Sequence, residues 1–230
     1  MRRIIDLNVP IEEHWRYGIH FSNPRSHAKG DPWQCTAYNL ESHWFTHIDF
    51  PIHHDPNGVN SDAYPIKDWC MGKALVIDLT HVGDNEGITG AMLEEATKDY
   101  KGTHFDYLLL RTDRAKKSDW YSTDFWDNSP YVTADGGEWI RDYAPKVVGY
   151  DFPQDYEIRN IRKCTTQEEL NKISQPVHDH VLMEGKILQI EYITNLWEIG
   201  VPVCDVVALP LSTQHTDGAQ IRVIAVVEEP

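Results

Sequence analysis

Ser42-His43-Trp44-Phe45-Thr46-His47-Ile48-Asp49-Phe50-Pro51-Ile52-His53-His54 gathers four histidines and an aspartate, and no other part of the 230-residue chain does so. Residues 36–49 read as extended, Pro51 ends the run, and Asp55-Pro56-Asn57-Gly58 supplies a strong turn signal. Side chains of a strand alternate between two faces. The odd-numbered His43, His47, Asp49 and His53 are therefore expected on one side, with His54 facing the other way. Two imidazoles and a carboxylate at that spacing make a ligand set for a divalent transition metal. His43, His47 and Asp49 are the expected ligands, and because a carboxylate can bridge, one ion or two are both open. His53 lies near the turn and is the candidate acid–base group or a ligand of a second ion, since histidine titrates near neutral pH.

Outward from this stretch, residues 4–10 read as a first strand. Residues 14–34 carry Gly18, Pro24, Gly30 and Pro32 among large rings and read as a long binding loop. Further strands are expected at 74–79, 106–111, 146–151, 186–191, 203–211 and 220–227. Helical spacing covers 89–98 with Thr89 as N-cap, a helix opens after Thr133, Thr166-Gln167-Glu168-Glu169 has the form of a capping box, and 176–183 reads as helical. Alternating strands and helices place the chain in the α/β class, with residues 1–230 as one domain.

A second, sparser cluster follows late in the chain. Val177-His178-Asp179-His180 precedes the apolar strand Ile187-Leu188-Gln189-Ile190, which finishes on Glu191. A carboxylate ending a buried strand is costly unless paired or coordinated. Glu191 is thus a candidate site residue, with His178 and His180 interchangeable on spacing. Asp217-Gly218-Ala219-Gln220 reads as a hairpin turn entering the last strand. Trp15, Phe21, Trp33, Trp44 and Phe45 are candidate walls for a flat apolar substrate.

Composition narrows the partners. With 21 Lys and Arg against 36 Asp and Glu, the formal charge of -15 argues against nucleic acid or an anionic membrane and leaves a small molecule as the expected ligand. No apolar run has signal-peptide or membrane-spanning length, so a cytoplasmic protein is expected. Cys35, Cys70, Cys164 and Cys204 form no CxxC pair and are expected to be buried thiols, with two distant disulfides left open.

In register, His43, Thr46, His47, Asp49, Pro51 and His53 resemble the H-x-G-T-H-x-D-x-P-x-H hallmark of the metal-dependent cyclase family, which includes bacterial kynurenine formamidase and isatin hydrolase. Ile5-Asp6-Leu7, Val147-Val148-Gly149-Tyr150-Asp151, and Ala208-Leu209-Pro210-Leu211 with Asp217-Gly218-Ala219 resemble its opening, central and closing segments. The resemblance implies a mixed, barrel-like sheet flanked by helices, a homo-oligomer (dimer or tetramer), and zinc or manganese used to hydrolyse amides. It implies metal binding by His43, His47 and Asp49, and catalytic roles for His53, His178 and Glu191, with His180 as the alternative to His178. Ester or lactone hydrolysis, cyclisation or dehydration of a hydroxy acid, and non-catalytic binding of a small molecule are the competing functions. Two departures stand out: Phe45 replaces the usual glycine and is expected to reshape or shrink the pocket, and Phe152-Pro153-Gln154-Asp155 replaces the familiar Ser or Thr after the central strand.

Overall fold

The computed structural model describes residues 1–228. Its strands are β1 (Arg2–Asp6), β2 (Phe21–Arg25), β3 (Cys35–Tyr38), β4 (His47–Asp49), β5 (Met71–Asp78), β6 (Gly87–Ile88), β7 (Tyr107–Arg111), β8 (Tyr131–Val132), β9 (Val147–Tyr150), β10 (Leu188–Glu191), β11 (Val203–Pro210) and β12 (Gly218–Glu228). The apolar runs of β5, β7, β9 and β10 pair in parallel, as expected for strands covered on both faces. β11 and β12 continue the sheet antiparallel from β5. The three residues of β4 then pair with β10 on one side and β12 on the other. Seven strands thereby close into a barrel-like ring, with β1 added along β12.

Every strand of the ring supplies residues to one core, among them Ile48, Val76, Leu109, Val147, Ile190, Val206 and Val223, so this cluster fills the barrel. The alternate residues Leu75, Ile77, Leu108, Leu110, Val148 and Tyr150 face outward and pack beneath helices through Leu93, Ile140 and Val181. The same alternation sets the site. Ile48, Ile190 and Ala219 point into the barrel, so His47, Asp49, Gln189, Glu191, Gly218 and Gln220 share its outer face.

Local signals hold where they are chemical. Thr89 caps the helix Gly90–Thr97 by accepting from Met92 N, and both bonds of the Thr166–Glu169 capping box form before Gln167–Leu170. Expected strands shift by a few residues at their ends, the first to Arg2–Asp6. The helical segment expected over 176–183 is a π-helix, His178–Glu184, a widened form often found at functional sites. Asp217 precedes β12 and Gly218 begins it, so the tight hairpin turn expected there is instead the strand's entry.

Larger differences fall around the opening stretch. Residues 36–49 are not one strand. β3 pairs with β2 in a separate hairpin, which also gives structure to the loop expected at 14–34. The chain then turns through residues 41–46 before β4, and Pro51–His53 is a 3-10 turn rather than an extended end. The four cysteines are unpaired, and contrary to expectation only Cys204 is buried, while Cys35 is exposed on β3. Among the described residues no helix is long and apolar enough to cross a membrane.

The turn before β4 hinges on Phe45, whose φ of 58° lies in the left-handed region that favours glycine. Its ring is fully buried with Val9, Trp120, Phe125, Trp126 and Tyr192, so burial offsets the backbone strain. Removing a buried Phe side chain costs about 3–5 kcal/mol, whereas relief of left-handed strain returns about 1–2 kcal/mol. Phe45→Gly is therefore expected to destabilise the fold by about 2 kcal/mol in urea denaturation. A gain in stability would contradict this balance.

Candidate metal centre and active site

His47 stands on β4 with its ring fixed by the turn before it. Its Nδ1 donates to the Phe45 carbonyl at 2.8 Å, which leaves Nε2 facing Asp49 Oδ1 at 3.2 Å and Glu191 Oε2 at 3.6 Å. A backbone acceptor on one ring nitrogen is the usual device for presenting the other to a metal. Gln220, across from His47 on β12, donates to the carbonyls of Glu41 (2.6 Å) and Trp44 (3.3 Å) and straps down the turn that carries His43.

His43 reaches the same point from that turn. Its Nδ1 is 2.8 Å from Asp49 Oδ1 and its Nε2 is 2.9 Å from Asp217 Oδ2. Burial opposes the imidazolium, but hydrogen bonds to Asp217 and Asp49 raise the pKa to about 10. Burial also opposes the Asp49 carboxylate, and the charges and hydrogen bonds of His47 and His43 hold it well below its usual range. Yet Asp49 Oδ2 is buried without a hydrogen-bond partner. A buried carboxylate oxygen left without a partner is costly, and a cation answers it. His43, His47 and Asp49 bring their ligand atoms within 4.8 Å of one another, so the residues fit a divalent ion.

Asp49 also belongs to a second triplet, with His178 and Glu191, under the same limit. His178 Nε2 lies 3.2 Å from Glu191 Oε1 and 3.8 Å from Asp49 Oδ2, while its Nδ1 is 2.6 Å from Asp155 Oδ2. Asp155 is itself buried and accepts from Val177 N and His178 N, fixing the start of the π-helix. Gln154 donates to Glu191. Burial disfavours charge on His178, and its bonds to Asp155 and Glu191 reverse this and raise its pKa well above the ordinary value. For Glu191, burial and the Asp49 charge push upward, but the His178 bond and His47 bring it down to about 2.

Of the two late histidines, His178 enters the site, while His180 turns out and pairs with Glu184 at 2.9 Å. His53 stacks on His43 at 3.7 Å between ring centroids, and its Nδ1 is 3.9 Å from Asp217 Oδ2. His54, expected to point away, stacks on His178 at 4.2 Å. The 3-10 turn over Pro51–His53 breaks the two-residue alternation and brings both rings inward. Burial lowers His53 to about 3 and His54 to about 4.

These groups open on a cavity of about 350 Å³ lined by His43, His47, His53, His178 and Glu191, with Trp44, Tyr17, Tyr192 and Arg16 among its walls. Of the aromatic residues expected there, Trp44 is in place, stacked on Tyr17 at 5.5 Å. Phe45 is not a wall, because its left-handed turn sends the ring into the cluster behind Tyr17. Trp15 lies outside the lining, with the guanidinium of Arg162 over its ring. Phe21 and Trp33 sit with the β2–β3 hairpin, against Tyr38 and Arg25.

Residues 5–154 match the sequence model of the Cyclase family, which is more than half of the chain. The chain belongs to the Cyclase family. Among its relatives, kynurenine formamidase of Bacillus thuringiensis subsp. konkukian is 23% identical over 225 residues, covering 96% of this chain and 95% of that protein. Isatin hydrolase A from Labrenzia aggregata shares the fold with a TM-score of 0.74 at 20% identity, over 99% of this chain and 94% of the other. An isatin hydrolase bound to the product analogue thioisatinate gives a TM-score of 0.79 at 16% identity, over 99% and 93%.

Asp155, Asp217 and His54 are the site residues that the sequence pattern did not single out. Asp155 stood in plain view as a departure after the central strand, and Asp217 as a turn residue. Gly218 proves to matter for His43: a Cβ there would sit 2.7 Å from His43 Cε1 and 2.9 Å from the Ile48 carbonyl oxygen. Gly218→Ala is expected to displace His43 and weaken binding of added zinc by roughly 10- to 100-fold, read by chelator competition. Unchanged affinity would remove His43 from the ligand set.

Proposed function

We propose that this Cyclase family member is a metal-dependent hydrolase that cleaves a carbon–nitrogen bond of a small amide, lactam or imide. The observation that carries this reading is the convergence of His43, His47 and Asp49, whose second oxygen is unsatisfied, at the edge of the cavity that the two histidines line. When bound there, a divalent ion such as zinc or manganese polarises a carbonyl and lowers the pKa of water toward neutrality. The relatives named as kynurenine formamidase and isatin hydrolase support a carbon–nitrogen target.

The chain's own groups have divided tasks. His47 is oriented by the Phe45 carbonyl, and Asp49 is held between His43 and His47. His53, which burial keeps uncharged, lines the cavity and offers its imidazole to relay the proton of the attacking water toward the leaving nitrogen. Asp155 positions His178 through Nδ1 so that Nε2 faces Glu191, and this pair holds a proton beside the reacting group. The rings of Tyr17, Trp44 and Tyr192 line the cavity beside the donor cluster and offer apolar surface to a substrate.

Exhaustive dialysis against a chelator is expected to abolish hydrolysis across a panel of N-formyl amides, cyclic amides and matched esters, with zinc or manganese restoring it. An active preparation without metal would contradict the reading, and turnover of the esters alone would move the reaction to ester hydrolysis. His178→Gln is expected to lower kcat by roughly 100-fold or more while the protein retains metal. Loss of metal together with activity would instead make His178 a ligand.

A further inference from the structure

Two buried glutamines flank the donor cluster, and one of them has met its carboxylate: Gln154 Nε2 donates to Glu191. The other, Gln189, is fully buried on the outward face of β10 and has a hydrogen-bond partner for neither Nε2 nor Oε1. Its register partner on β4 is Asp49, whose Oδ2 is likewise buried without a partner. Side chains directly opposite across antiparallel strands have Cβ atoms about 5 Å apart, so a glutamine amide can reach a facing aspartate carboxylate. On its other side Gln189 pairs with Val148 of β9, and Tyr150, two residues along, shares that outward face. The Tyr150 hydroxyl is a third buried group without a partner, and the charges of Glu191 and Asp49 both act on it. One buried face thus carries two unpaired donors, Tyr150 O–H and Gln189 Nε2–H, and two unpaired acceptors, Gln189 Oε1 and Asp49 Oδ2.

A buried amide with none of its bonds made destabilises a fold. Cation binding gives this one a task. An imidazole nitrogen that ligates a cation gives it a lone pair and no longer donates to a carboxylate. His43 and His47, which approach Asp49 Oδ1 at 2.8 Å and 3.2 Å, then cease to satisfy it. A ligating carboxylate needs a hydrogen-bond donor on the lone pairs that the cation leaves free. We propose that Gln189 is that donor, a positioning residue whose Oε1 accepts from Tyr150 and whose Nε2 donates to Asp49 when the metal site fills, holding the carboxylate toward the cation. The proposal rests on the metal-centre reading above. Gln154 already serves Glu191 in this way, so each of the two acidic donors has a glutamine of its own.

Zinc affinity by chelator competition, and urea stability without metal, are to be measured for wild type, Gln189→Met, Tyr150→Phe and the double variant. Methionine keeps the length and bulk of glutamine and removes the amide. Gln189→Met is expected to weaken zinc binding roughly 10-fold or more, while the metal-free protein stays at least as stable as wild type because an unpaired buried group has gone. Tyr150→Phe is expected to weaken binding less, and the double variant no more than Gln189→Met, since the hydroxyl acts through the amide. Unchanged zinc affinity in either single variant, or additive losses in the double variant, would overturn the proposal. A metal-free Gln189→Met too unstable to assay would overturn it as well, by showing that the amide serves the fold. A wild type that binds no zinc would remove the metal centre and the relay together, whereas wild-type binding with an unaffected Gln189→Met removes the relay alone.

Discussion

Three residues of backbone pairing, His47 to Asp49 laid between β10 and β12, close the barrel and build the site in one stroke. Because side chains alternate along a strand, Ile48 must enter the core if His47 and Asp49 are to face out. A slip of one residue would bury the imidazole and carboxylate in the barrel and expose the isoleucine. The apolar filling of the ring therefore enforces the register of the candidate ligands. Gln189 and Glu191 from β10, and Gly218 and Gln220 from β12, are drawn to the same face by the same pairing.

Charge is the second constraint. Asp49, Asp155 and Glu191 are buried within a few ångströms of the cavity. Burying ionised carboxylates is tolerated only when positive charge is close. Here His43 and His178 carry it, each gripped by two carboxylates. The arrangement is electrostatically prepared for a cation, and ligand protons must leave when one binds. The unsatisfied Asp49 oxygen marks where the imidazoles alone fall short.

Much of the fold was legible because its signals are local. The apolar runs of β5, β7, β9 and β10 and the caps at Thr89 and Thr166 follow from composition and short-range hydrogen bonding. The ligand candidates His43, His47 and Asp49 were legible too, but for a reason only half right. Alternation holds for His47 and Asp49 within β4, whereas His43 arrives by a turn and His53 and His54 by a 3-10 turn. Phe45 in a left-handed conformation is what propensity could not foresee, since long-range aromatic packing sustains it. Asp155 and Asp217 were hidden for the same reason: each meets the site only through tertiary contacts spanning many residues of sequence.

The outward face of β4, together with His43, carries the donor set for a metal ion. Crystals grown with zinc, with anomalous scattering recorded above and below the zinc edge, test it most directly. An anomalous peak bounded by His43, His47 and Asp49 is expected. A map with no peak there, or with zinc only at surface histidines such as His215, would contradict it.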